Sequence, residues 1–509
     1  MRLTGLLWKT LTARARAARS WRGRLEEVQR AELSRMVGMA RDTDWGRAHG
    51  YRGVLTYEDY RRAVDTVVPY EELRPMVMRM IGGERDVLWP GVTRHFAQSS
   101  GTSDGRSKYI PITAEGFARC HFRGTRHSVA HYLEAYPDSR LIDGRAFILG
   151  GSFANELTLK PGVRVGDLSA NLIERMPRAA GLLRVPPRDI ALMTDWREKL
   201  PALIEASSRC HDITNISGVP SWFLTVIRGI LEKTGAETIH DVWPRLEVFF
   251  HGGIAFGPYR EQYRSITDPS RMHYLENYNA SEGFFAVQDD PADSSMLMLL
   301  DAGTFYEFIP LSDIDSANPR LLPSWEVEQW RTYALVITNV NGLWRYALGD
   351  TVTIVSKDPL KIRIAGRTRH FINAFGEELM VWNADAAIEK VSAATGIAVA
   401  NYTAAPVYAA DGRRGRHQWL IEFATPPGER LGDFARCLDE ALQRENSDYQ
   451  AKRQGSLFLD PLEIVEARPG LFDDWLSQSG GRLGGQRKIP RLANDRRFIE
   501  PMLTLNNQK

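Results

Sequence analysis

Apolar residues recur at helical spacing through much of the first eighty residues, until Gly82-Gly83 ends the pattern. Apolar positions three and four residues apart indicate the buried face of an amphipathic helix. The same spacing returns twice farther along the chain. The predicted helices are residues 21–40, 57–63, 70–81, 114–134 and 219–233. The first part of the chain is therefore expected to be largely helical.

Short apolar runs bounded by glycine or turn residues predict strands after these helices begin. The single predicted strands are residues 95–97, 146–149, 245–250, 272–275, 351–355 and 361–364. Two hairpins are also expected: 296–300 turning at 301–303 into 305–309, and 333–340 turning at Asn341-Gly342. Asn-Gly suits a type I′ turn, because both central residues of that turn need positive φ. These elements predict a large α/β body with an added antiparallel β portion.

Helical and strand patterns alternate from about residue 375 onward, which predicts a small two-layer α+β domain. Its predicted elements are helix 384–394, strand 398–403, strand 417–423, helix 431–444 and strand 462–465. Residues 477–491 are rich in glycine, arginine and lysine, which is typical of a mobile loop. The chain is therefore expected to form two domains, 1–374 and 375–509.

Composition places the chain among globular proteins, with 43% hydrophobic and 25% charged residues. The net charge of +2 gives no field over the whole chain, and no local basic face is evident, so no nucleic-acid partner is expected. Three scattered cysteines without a C-x-x-C pair indicate reduced thiols and predict a cytoplasmic location. No window approaches the ~18 apolar residues of a membrane span. The oligomeric state stays open.

The N-terminal segment is rich in arginine: residues 1–25 hold seven Arg or Lys and no acid before Glu26. Such a start is typical of a transit peptide or of a helix on a membrane surface. The alternative is a solvated amphipathic helix that packs on the body through Leu3, Leu7 and Leu11. The alternative is favoured, because the same helical spacing continues in the residues that follow.

Residues 98–108 (QSSGTSDGRSK) form the first segment that suggests chemistry. Two glycines allow several backbone N–H groups to point one way, as a phosphate cradle needs. The side chains that add polar partners are Ser99, Ser100, Thr102, Ser103, Arg106 and Lys108. The spacing is not that of a Walker A loop, because the glycines are four apart. The alternative is a flexible surface loop rich in hydroxyls.

Two carboxylates follow strand-like segments. Glu282, in the sequence Tyr278-Asn-Ala-Ser-Glu282, is expected on a turn, where its carboxylate could bind Mg²⁺. Mg²⁺ prefers oxygen ligands and usually keeps substrate phosphates as further ligands. Tyr278 offers a ring that stacks on a flat base. Asp350, in WRYALGD, suits a pair of hydrogen bonds to two ribose hydroxyls. The alternative in each case is an ordinary solvated turn.

Two later segments complete the set of candidates. Arg367 follows Gly366 and offers a cation for ribose or phosphate, while Gly376 offers a hinge. Lys488 lies in the glycine-rich loop near the C-terminus, in the sequence GGQRKIPR. Each of these residues also has an ordinary structural explanation, so their order along the chain matters more than any one of them.

That order resembles the adenylate-forming superfamily. Within it, S-S-G-T-S-D-G-x-x-K, Y-x-x-S-E, W-R-Y-x-x-G-D and Q-x-K-x-P-R are similar to motifs of the auxin-responsive (Gretchen Hagen) acyl-acid amido synthetases, which conjugate auxin, jasmonate or benzoates to amino acids. The chain resembles a bacterial-type member, from about residue 25 to Arg491. It departs at Gly366-Arg367 and 376–378, which are closer to the general superfamily hinge.

The resemblance implies a large multi-sheet N-terminal domain of the adenylate-forming type with a β-barrel-like portion, and a small α+β lid. It implies that ATP and Mg²⁺ serve to adenylate a small carboxylic acid, whose acyl group then passes to an amino acid or similar amine. Two alternatives stay open: a thiol acceptor, such as coenzyme A or a carrier protein, and a non-catalytic nucleotide-binding relative.

The resemblance also implies a role for each candidate residue. Contacts to ATP phosphates are expected from Ser99, Ser100, Thr102, Ser103 and Lys108. Adenine and ribose contacts are expected from Gly252, Gly253, Tyr278, Asp350 and Arg367. Glu282 is expected to ligate Mg²⁺, and Lys488 to reach the α-phosphate when the lid closes; with Ser100 they are the expected catalytic residues. Acyl-pocket candidates are Arg123, Arg126, His127, Asn277, Asn279 and Phe284, and which cation pairs with the acyl carboxylate stays open.

Overall fold

The computed structural model describes residues 3–99, 107–155, 157–253, 256, 259–314, 316, 318–367, 371–377, 379–409, 414–454, 458–478 and 491–507. The chain divides into two compact units. The first contains Met1–Ser99 and Ser107–Thr368, and the second contains Arg369–Lys509. Each unit has its own sheet and its own buried apolar cluster.

Helices surround the sheets of the first unit. They are α1 (Leu3–Leu11), α2 (Ala13–Arg19), α3 (Leu25–Ala40), α4 (Asp44–Ala48), α5 (Tyr57–Ala63), α6 (Tyr70–Ile81), α7 (Phe122–Ala135), α8 (Leu168–Arg175), α9 (Arg178–Leu182), α10 (Arg188–Ala191), α11 (Trp196–Ser208), α12 (Pro220–Thr234), α13 (Ile239–Val242) and α14 (Arg260–Ile266). A π-helical segment, Gly116–His121, leads directly into α7. Helix α12 begins with Pro220, and Gly235, whose φ is 69°, follows its last residue. Proline at a helix start and glycine just past its end is the usual arrangement.

The strands of the first unit form a small sheet and a large one. They are β1 (His95–Ser99), β2 (Lys108–Ile112), β3 (Arg145–Ile148), β4 (Arg164–Gly166), β5 (Arg184–Val185), β6 (Ile213–Gly218), β7 (Val248–Gly252), β8 (His273–Ala280), β9 (Gly283–Val287), β10 (Met296–Met298), β11 (Thr304–Pro310), β12 (Leu322–Pro323), β13 (Thr332–Asn339), β14 (Tyr346–Lys357) and β15 (Leu360–Arg367). The small sheet has the order β2-β1-β4, and the large one β12-β11-β13-β14-β15-β10-β9-β8-β7-β6-β3-β5.

The large sheet joins a parallel part to an antiparallel part. Strands β5, β3, β6, β7 and β8 run parallel, and every neighbouring pair from β8 to β12 is antiparallel. In the parallel part, β7 is buried along Val248, Phe249 and Phe250, as a strand covered on both faces requires. The predicted α/β body with an antiparallel portion is confirmed. Among the described residues no pairing joins β12 to β5.

The second unit is a small α+β domain, as predicted. Its elements are β16 (Phe371–Ile372), β17 (Leu379–Met380), α15 (Val381–Thr395), β18 (Val399–Val407), β19 (Arg416–Phe423), α16 (Leu431–Glu445), α17 (Ser447–Arg453), β20 (Glu463–Ala467), α18 (Leu471–Gln478) and α19 (Ile499–Asn507). Strands β18, β19 and β20 form one sheet, and β16 pairs with β17. Leu420, Phe472 and Ile499 are fully buried in its apolar cluster.

The predicted hairpin of 296–300 with 305–309 is wrong. Strand β10 pairs with β9 and β15, whereas β11 pairs with β12 and β13. The side chain of Gln29 fixes this departure: its amide donates to the carbonyl oxygens of Leu300 (2.8 Å) and Thr304 (3.1 Å), and its oxygen accepts from the Tyr306 N–H (3.0 Å). A residue of α3 therefore satisfies the backbone groups that a local turn was expected to pair.

The predicted type I′ turn at Asn341-Gly342 is also wrong. Gly342 has a φ of 80°, but Asn341 is not among the residues with positive φ. The connection from β13 to β14 spans residues 340–345, and Arg345 enters β14 with a φ of 44°. The Asn341 side chain is buried and bonds to two other segments, so the residue serves a tertiary role that the dipeptide did not reveal.

The N-terminal segment forms α1 and α2, and both pack against α7, as the favoured alternative predicted. Of the three predicted contact residues, Leu11 packs on the body as expected, but Leu3 and Leu7 are exposed and Thr4 is buried in their place. The Asp143 carboxylate accepts hydrogen bonds from the N–H groups of Leu3 (2.6 Å) and Thr4 (3.2 Å), and Trp8 donates to the Leu133 carbonyl (3.3 Å). Among the described helices, none has the length and apolar character needed to span a bilayer.

Candidate active site

The carboxyl ends of β7 and β8 form one edge of the parallel part of the sheet. In the register of these strands, Gly252 lies opposite Asn277, one residue before Tyr278. A Cβ atom at Gly252 would lie 2.4 Å from the Asn277 carbonyl oxygen, so only glycine fits there. Gly253 has a φ of 84°, a conformation that favours glycine. The predicted glycine pair therefore lies beside the strand that carries Tyr278.

Tyr278 and Asp350 come together from two different parts of the sheet. The Tyr278 hydroxyl donates to the Asp350 carboxylate at 2.6 Å, and both side chains are buried. Asp350 follows Gly349, whose φ of 89° turns the β14 backbone before the carboxylate. Across β14 and β15, Asp350 is in register with Arg367, whose side chain lies outside the described part of the chain.

Glu282 lies on the turn between β8 and β9, with its side chain mostly buried. The Tyr346 hydroxyl donates to the Glu282 carboxylate (3.4 Å) and accepts from the Lys108 ammonium group (3.2 Å). Burial, and then the charge of Glu282, raises the pKa of Tyr346 well above its ordinary value, so the phenol stays a donor. Lys108 pairs with Ser99 across β1 and β2, so the two ends of the hydroxyl-rich segment lie side by side, and Lys108 is linked to Glu282 through Tyr346.

Two asparagines hold the turn that carries Glu282. The side-chain amides of Asn339 and Asn341 both donate to the Glu282 carbonyl oxygen, at 2.8 and 3.1 Å. The Asn341 amide oxygen accepts from the backbone N–H of Thr113, just past β2 (3.2 Å). All these groups are buried. Sequence reasoning missed both asparagines, because Asn341-Gly342 had an ordinary interpretation as a turn.

The arginine of the WRYALGD segment supports the site without reaching into it. Arg345 is buried and donates to both carboxylate oxygens of Glu307, at 2.9 and 2.6 Å. The Tyr57 hydroxyl also donates to Glu307 (2.8 Å), and Arg345 donates further to the Val64 carbonyl. Burial would lower the pKa of Arg345, but Glu307 outweighs burial and raises it. Arg345 thus anchors the backbone from which Tyr346 points toward Glu282.

Three of the acyl-pocket candidates pack near the same strand ends. The Asn277 amide oxygen accepts from the Ser128 hydroxyl of α7 at 2.7 Å. The ring of Phe284 lies against Gly124 of α7, where a Cβ atom would come within 2.2 Å of it. Asn279 lies opposite Phe284 in the β8–β9 register, and its amide oxygen lies close to Gly252. Asn277 and Phe284 thus place α7 beside the edge that holds Tyr278.

The three cationic candidates of α7 have partners of their own. Arg123 donates to the Asp301 carbonyl oxygen (2.7 Å), and His127 Nε2 lies 3.5 Å from the Asp301 carboxylate, which also binds Arg14. Burial would raise the pKa of Asp301, but hydrogen bonds from His127 and Arg14 outweigh it and lower that pKa. Arg126 is exposed and donates to carbonyls of its own helical segment. The choice of cation for the acyl carboxylate stays a prediction.

Several predicted site residues fall outside the described part of the chain: Ser100, Thr102, Ser103 and Lys488. Among the described residues, no group of three or more His, Cys, Asp or Glu is arranged to hold a metal ion. Glu282 is the carboxylate that the sequence predicted as the metal ligand. That donor suits an ion whose remaining ligands come from substrate phosphates and water, as is usual for Mg²⁺.

Comparison with known proteins gives the family. The GH3 family N-terminal domain matches residues 18–272, the central domain matches 297–367, and the C-terminal domain matches 382–497. The chain belongs to the GH3 family. The auxin-responsive family that the sequence motifs indicated is thereby confirmed.

Curated GH3 proteins resemble this chain over most of its length. The indole-3-acetic acid-amido synthetase GH3.3 of Arabidopsis thaliana is 22% identical, over 91% of this chain and 89% of its own. The jasmonoyl–L-amino acid synthetase GH3.5 of Oryza sativa subsp. japonica is 23% identical, over 64% of this chain and 67% of its own. The GH3 proteins thus act, by their names, on more than one acid.

Solved structures show that this GH3 chain has the adenylate-forming fold. The acyl acid amido synthetase AtGH3.15 in complex with 2,4-DB gives a TM-score of 0.61 at 17% identity, covering 97% of this chain and 96% of that one. The 2-hydroxyisobutyryl-CoA ligase, a thioester-forming enzyme by its name, gives a TM-score of 0.56 at 14% identity, covering 95% of this chain and 92% of that one. The predicted fold class is confirmed.

Proposed function

We propose that this GH3 protein is an ATP-dependent acyl-acid amido synthetase. The observation that carries the proposal is the convergence of three predicted residues at one edge of the sheet. Tyr278 holds Asp350, and on the turn after β8 the Glu282 carboxylate accepts from Tyr346, which in turn accepts from Lys108. Relatives named as amido synthetases of indole-3-acetic acid and of jasmonate support the reaction class.

The reaction has two steps in this proposal. A carboxylate oxygen of the acid attacks the α-phosphorus of ATP, a new O–P bond forms, and the bond to the β-phosphate breaks to release pyrophosphate. The amine nitrogen then attacks the acyl carbon, a C–N bond forms, the bond to AMP breaks, and the nitrogen loses a proton. The carboxylate is activated in this way because it otherwise has no acceptable leaving group.

The described residues have distinct tasks in these steps. Tyr278 presents its ring to adenine and orients Asp350, whose carboxylate is suited to accept from ribose hydroxyls. Lys108, held beside Tyr346, supplies a cation for the phosphates. Glu282 would hold Mg²⁺, which when bound would supply charge stabilisation for the phosphoryl oxygens. Asn339 and Asn341 fix the turn so that the Glu282 carboxylate has one orientation.

The remaining assignments belong to the proposal as predictions. Ser99, Ser100, Thr102 and Ser103 contact the phosphates and Arg367 contacts ribose, within an ATP- and acyl-binding domain of residues 1–374. Lys488 reaches the α-phosphate from a lid of residues 375–509. A cytoplasmic location is proposed, and the free cysteines Cys120, Cys210 and Cys437 support it.

Product identity tests the proposal. The protein is incubated with ATP, Mg²⁺, a panel of small carboxylic acids, a mixture of amino acids, and coenzyme A. We expect ATP–pyrophosphate exchange that depends on one class of acid, and a product whose mass is that of acid plus amine less water. Protein that binds ATP and shows no exchange with any acid would contradict the enzymatic reading. A thioester product would move the acceptor from amine to thiol.

A matched pair of variants tests the role of Glu282 in the same assay. Glu282→Gln keeps a hydrogen-bond acceptor for Tyr346 but removes the charge, so half-maximal exchange is expected to need at least about tenfold more Mg²⁺. Glu276→Gln, at a half-buried position on β8, the strand before the Glu282 turn, is the control and is expected to leave the Mg²⁺ titration unchanged. If the two variants give identical Mg²⁺ titrations, then Glu282 has a structural role and does not bind the metal ion.

A further inference from the structure

We infer that the outer face of α1 and α2 is a docking surface for an anionic phospholipid membrane. Three leucines lie exposed within the first five residues of α1: Leu3 at 44%, Leu6 at 61% and Leu7 at 39%. Elsewhere among the described residues, large exposed apolar side chains are single along the chain, apart from the neighbours Leu182 and Leu183. A cluster of exposed leucines is the kind of surface that a partner covers.

The exposed leucines are held outward by contacts on the opposite face of the helix. Thr4 is buried there, and its hydroxyl donates to the Asp143 carboxylate at 3.2 Å. Trp8 donates its indole N–H to the Leu133 carbonyl, and Thr12 is fully buried. Rotating α1 to bury its leucines would break these hydrogen bonds, so the folded body keeps the leucines on the surface.

Cations continue the same face beyond the leucines. Hydrogen bonds from Thr12 N to Trp8 O and from Arg16 N to Thr12 O carry the helical repeat from α1 into α2. Leu6, Lys9 and Arg16 are separated by three and seven residues, which places them on one side of that repeat, and all three are exposed. Exposed apolar side chains and neighbouring cations supply the two contributions to binding an anionic membrane surface, buried apolar area and electrostatic attraction.

The charges of this face favour lipid over a second copy of the chain. The described acids in contact with the segment are occupied: Asp143 accepts from α1, Glu134 binds Arg19, and Asp301 binds Arg14. Lys9, Arg16 and Arg22 have no carboxylate partner among the described residues. A twofold contact would bring these cations against their own copies, whereas anionic headgroups neutralise them while the leucines enter the acyl region.

Co-sedimentation of the full-length protein with vesicles tests the inference, and it does not depend on the proposed function. We expect binding to vesicles of phosphatidylcholine with phosphatidylglycerol, weakening with added salt, and no binding to phosphatidylcholine alone. The double variant Leu6→Ser/Leu7→Ser is expected to need at least about tenfold more lipid for half-maximal binding, because two apolar anchors are lost. Its circular dichroism and its ATP–pyrophosphate exchange are expected to match wild type.

The control is Leu182→Ser/Leu183→Ser, which removes an equally exposed leucine pair at the end of α9, at 82% and 41%. It is expected to bind vesicles as the wild type does. Failure of the wild-type protein to sediment with anionic vesicles would overturn the inference, and so would undiminished binding by Leu6→Ser/Leu7→Ser. If the wild-type protein self-associates without lipid and Leu6→Ser/Leu7→Ser does not, then the outer face of α1 and α2 binds a second copy of the chain and not a membrane.

Discussion

Three buried histidines make the folding stability depend on pH. Burial lowers the pKa of His121 to about 4 and, as the main cause, the pKa of His131 and His251 to about 3. In the unfolded chain a histidine titrates near 6.5. Below that pH the unfolded state binds more protons than the folded state, so the free energy of unfolding falls as the pH falls toward 4. Above pH 6.5 this contribution to stability is fully present.

His121 allows the effect to be measured at one residue. Neither of its ring nitrogens has a hydrogen-bond partner among the described residues, so His121→Leu removes a titrating group and no hydrogen bond. We expect the pH dependence of the free energy of unfolding to become shallower by about 1.2 kcal/mol per pH unit between pH 6 and 5, because nearly one proton fewer is taken up on unfolding. Urea unfolding at a series of pH values measures the slope.

The control for this prediction is the neighbouring Phe122→Leu. It alters packing at the start of α7 without removing a titratable group, so its slope is expected to equal that of the wild type. If His121→Leu also keeps the wild-type slope, then His121 is not kept neutral by the fold at acidic pH.

At the scale of elements, the segment that leads into α7 and the β13–β14 connection are fitted to each other. Gly116 begins the π-helical segment, and a Cβ atom there would lie 1.8 Å from the amide oxygen of Asn341. The same amide group holds the Glu282 turn and the Thr113 backbone. The glycine is therefore required by the asparagine, and the two positions are coupled.

A double-mutant cycle tests this coupling. Gly116→Ala is expected to cost about 1–3 kcal/mol of unfolding free energy, because its methyl group displaces Asn341. Asn341→Ala is expected to cost a similar amount, since buried polar groups lose their partners. The double variant is expected to cost less than the sum of both, because the clash is gone. Urea unfolding gives the four free energies, and additive costs would mean that the two residues do not interact.

Local sequence patterns predicted the elements whose contacts are local. The predicted helices 57–63 and 70–81 coincide with α5 and α6, and a capping box of Thr56 and Asp59 begins α5. The hairpin of 296–300 with 305–309 was wrong because a distant residue, Gln29, satisfies its backbone groups. At the other hairpin β13 and β14 do pair antiparallel, and only the turn type was wrong, because the Asn341 side chain bonds to Glu282 and Thr113. Turn propensity alone does not report such partners.

The candidate site was also predicted only in part from the sequence. Motif spacing predicted Tyr278, Glu282 and Asp350, because the chemistry of each side chain is visible in its own segment. It did not predict Asn339 or the role of Tyr346 as the link from Lys108 to Glu282, since those contacts join strands that are far apart in the chain. Residue types were thus predictable, and their partners were not.

At the scale of the whole molecule, the proposed reaction needs residues of both compact units. Lys488→Ala is expected to lower ATP–pyrophosphate exchange at least about hundredfold, because a cation at the α-phosphate acts mainly on the transition state. ATP affinity is expected to change little. Exchange kinetics with equilibrium binding of ATP measure the two effects separately.

Lys390→Ala serves as the control for this prediction. Lys390 belongs to the same unit, is exposed, and pairs with Glu445 on the surface, so its loss removes a charge without touching the proposed reaction. If Lys488→Ala and Lys390→Ala catalyse exchange at the same rate, then Lys488 takes no part in the mechanism.

The Arg345–Glu307 pair restricts how this sequence diverges over generations. Losing either member alone leaves the other charge buried and uncompensated, at a cost of about 3–5 kcal/mol, a large part of the stability of a folded domain. Single substitutions at these positions are therefore expected to be eliminated, while joint replacements are tolerated. Related sequences that keep the fold are expected to retain both residues or to replace both. Where Glu307 is replaced, Tyr57 is expected to vary, because its hydroxyl no longer has that carboxylate as a hydrogen-bond acceptor.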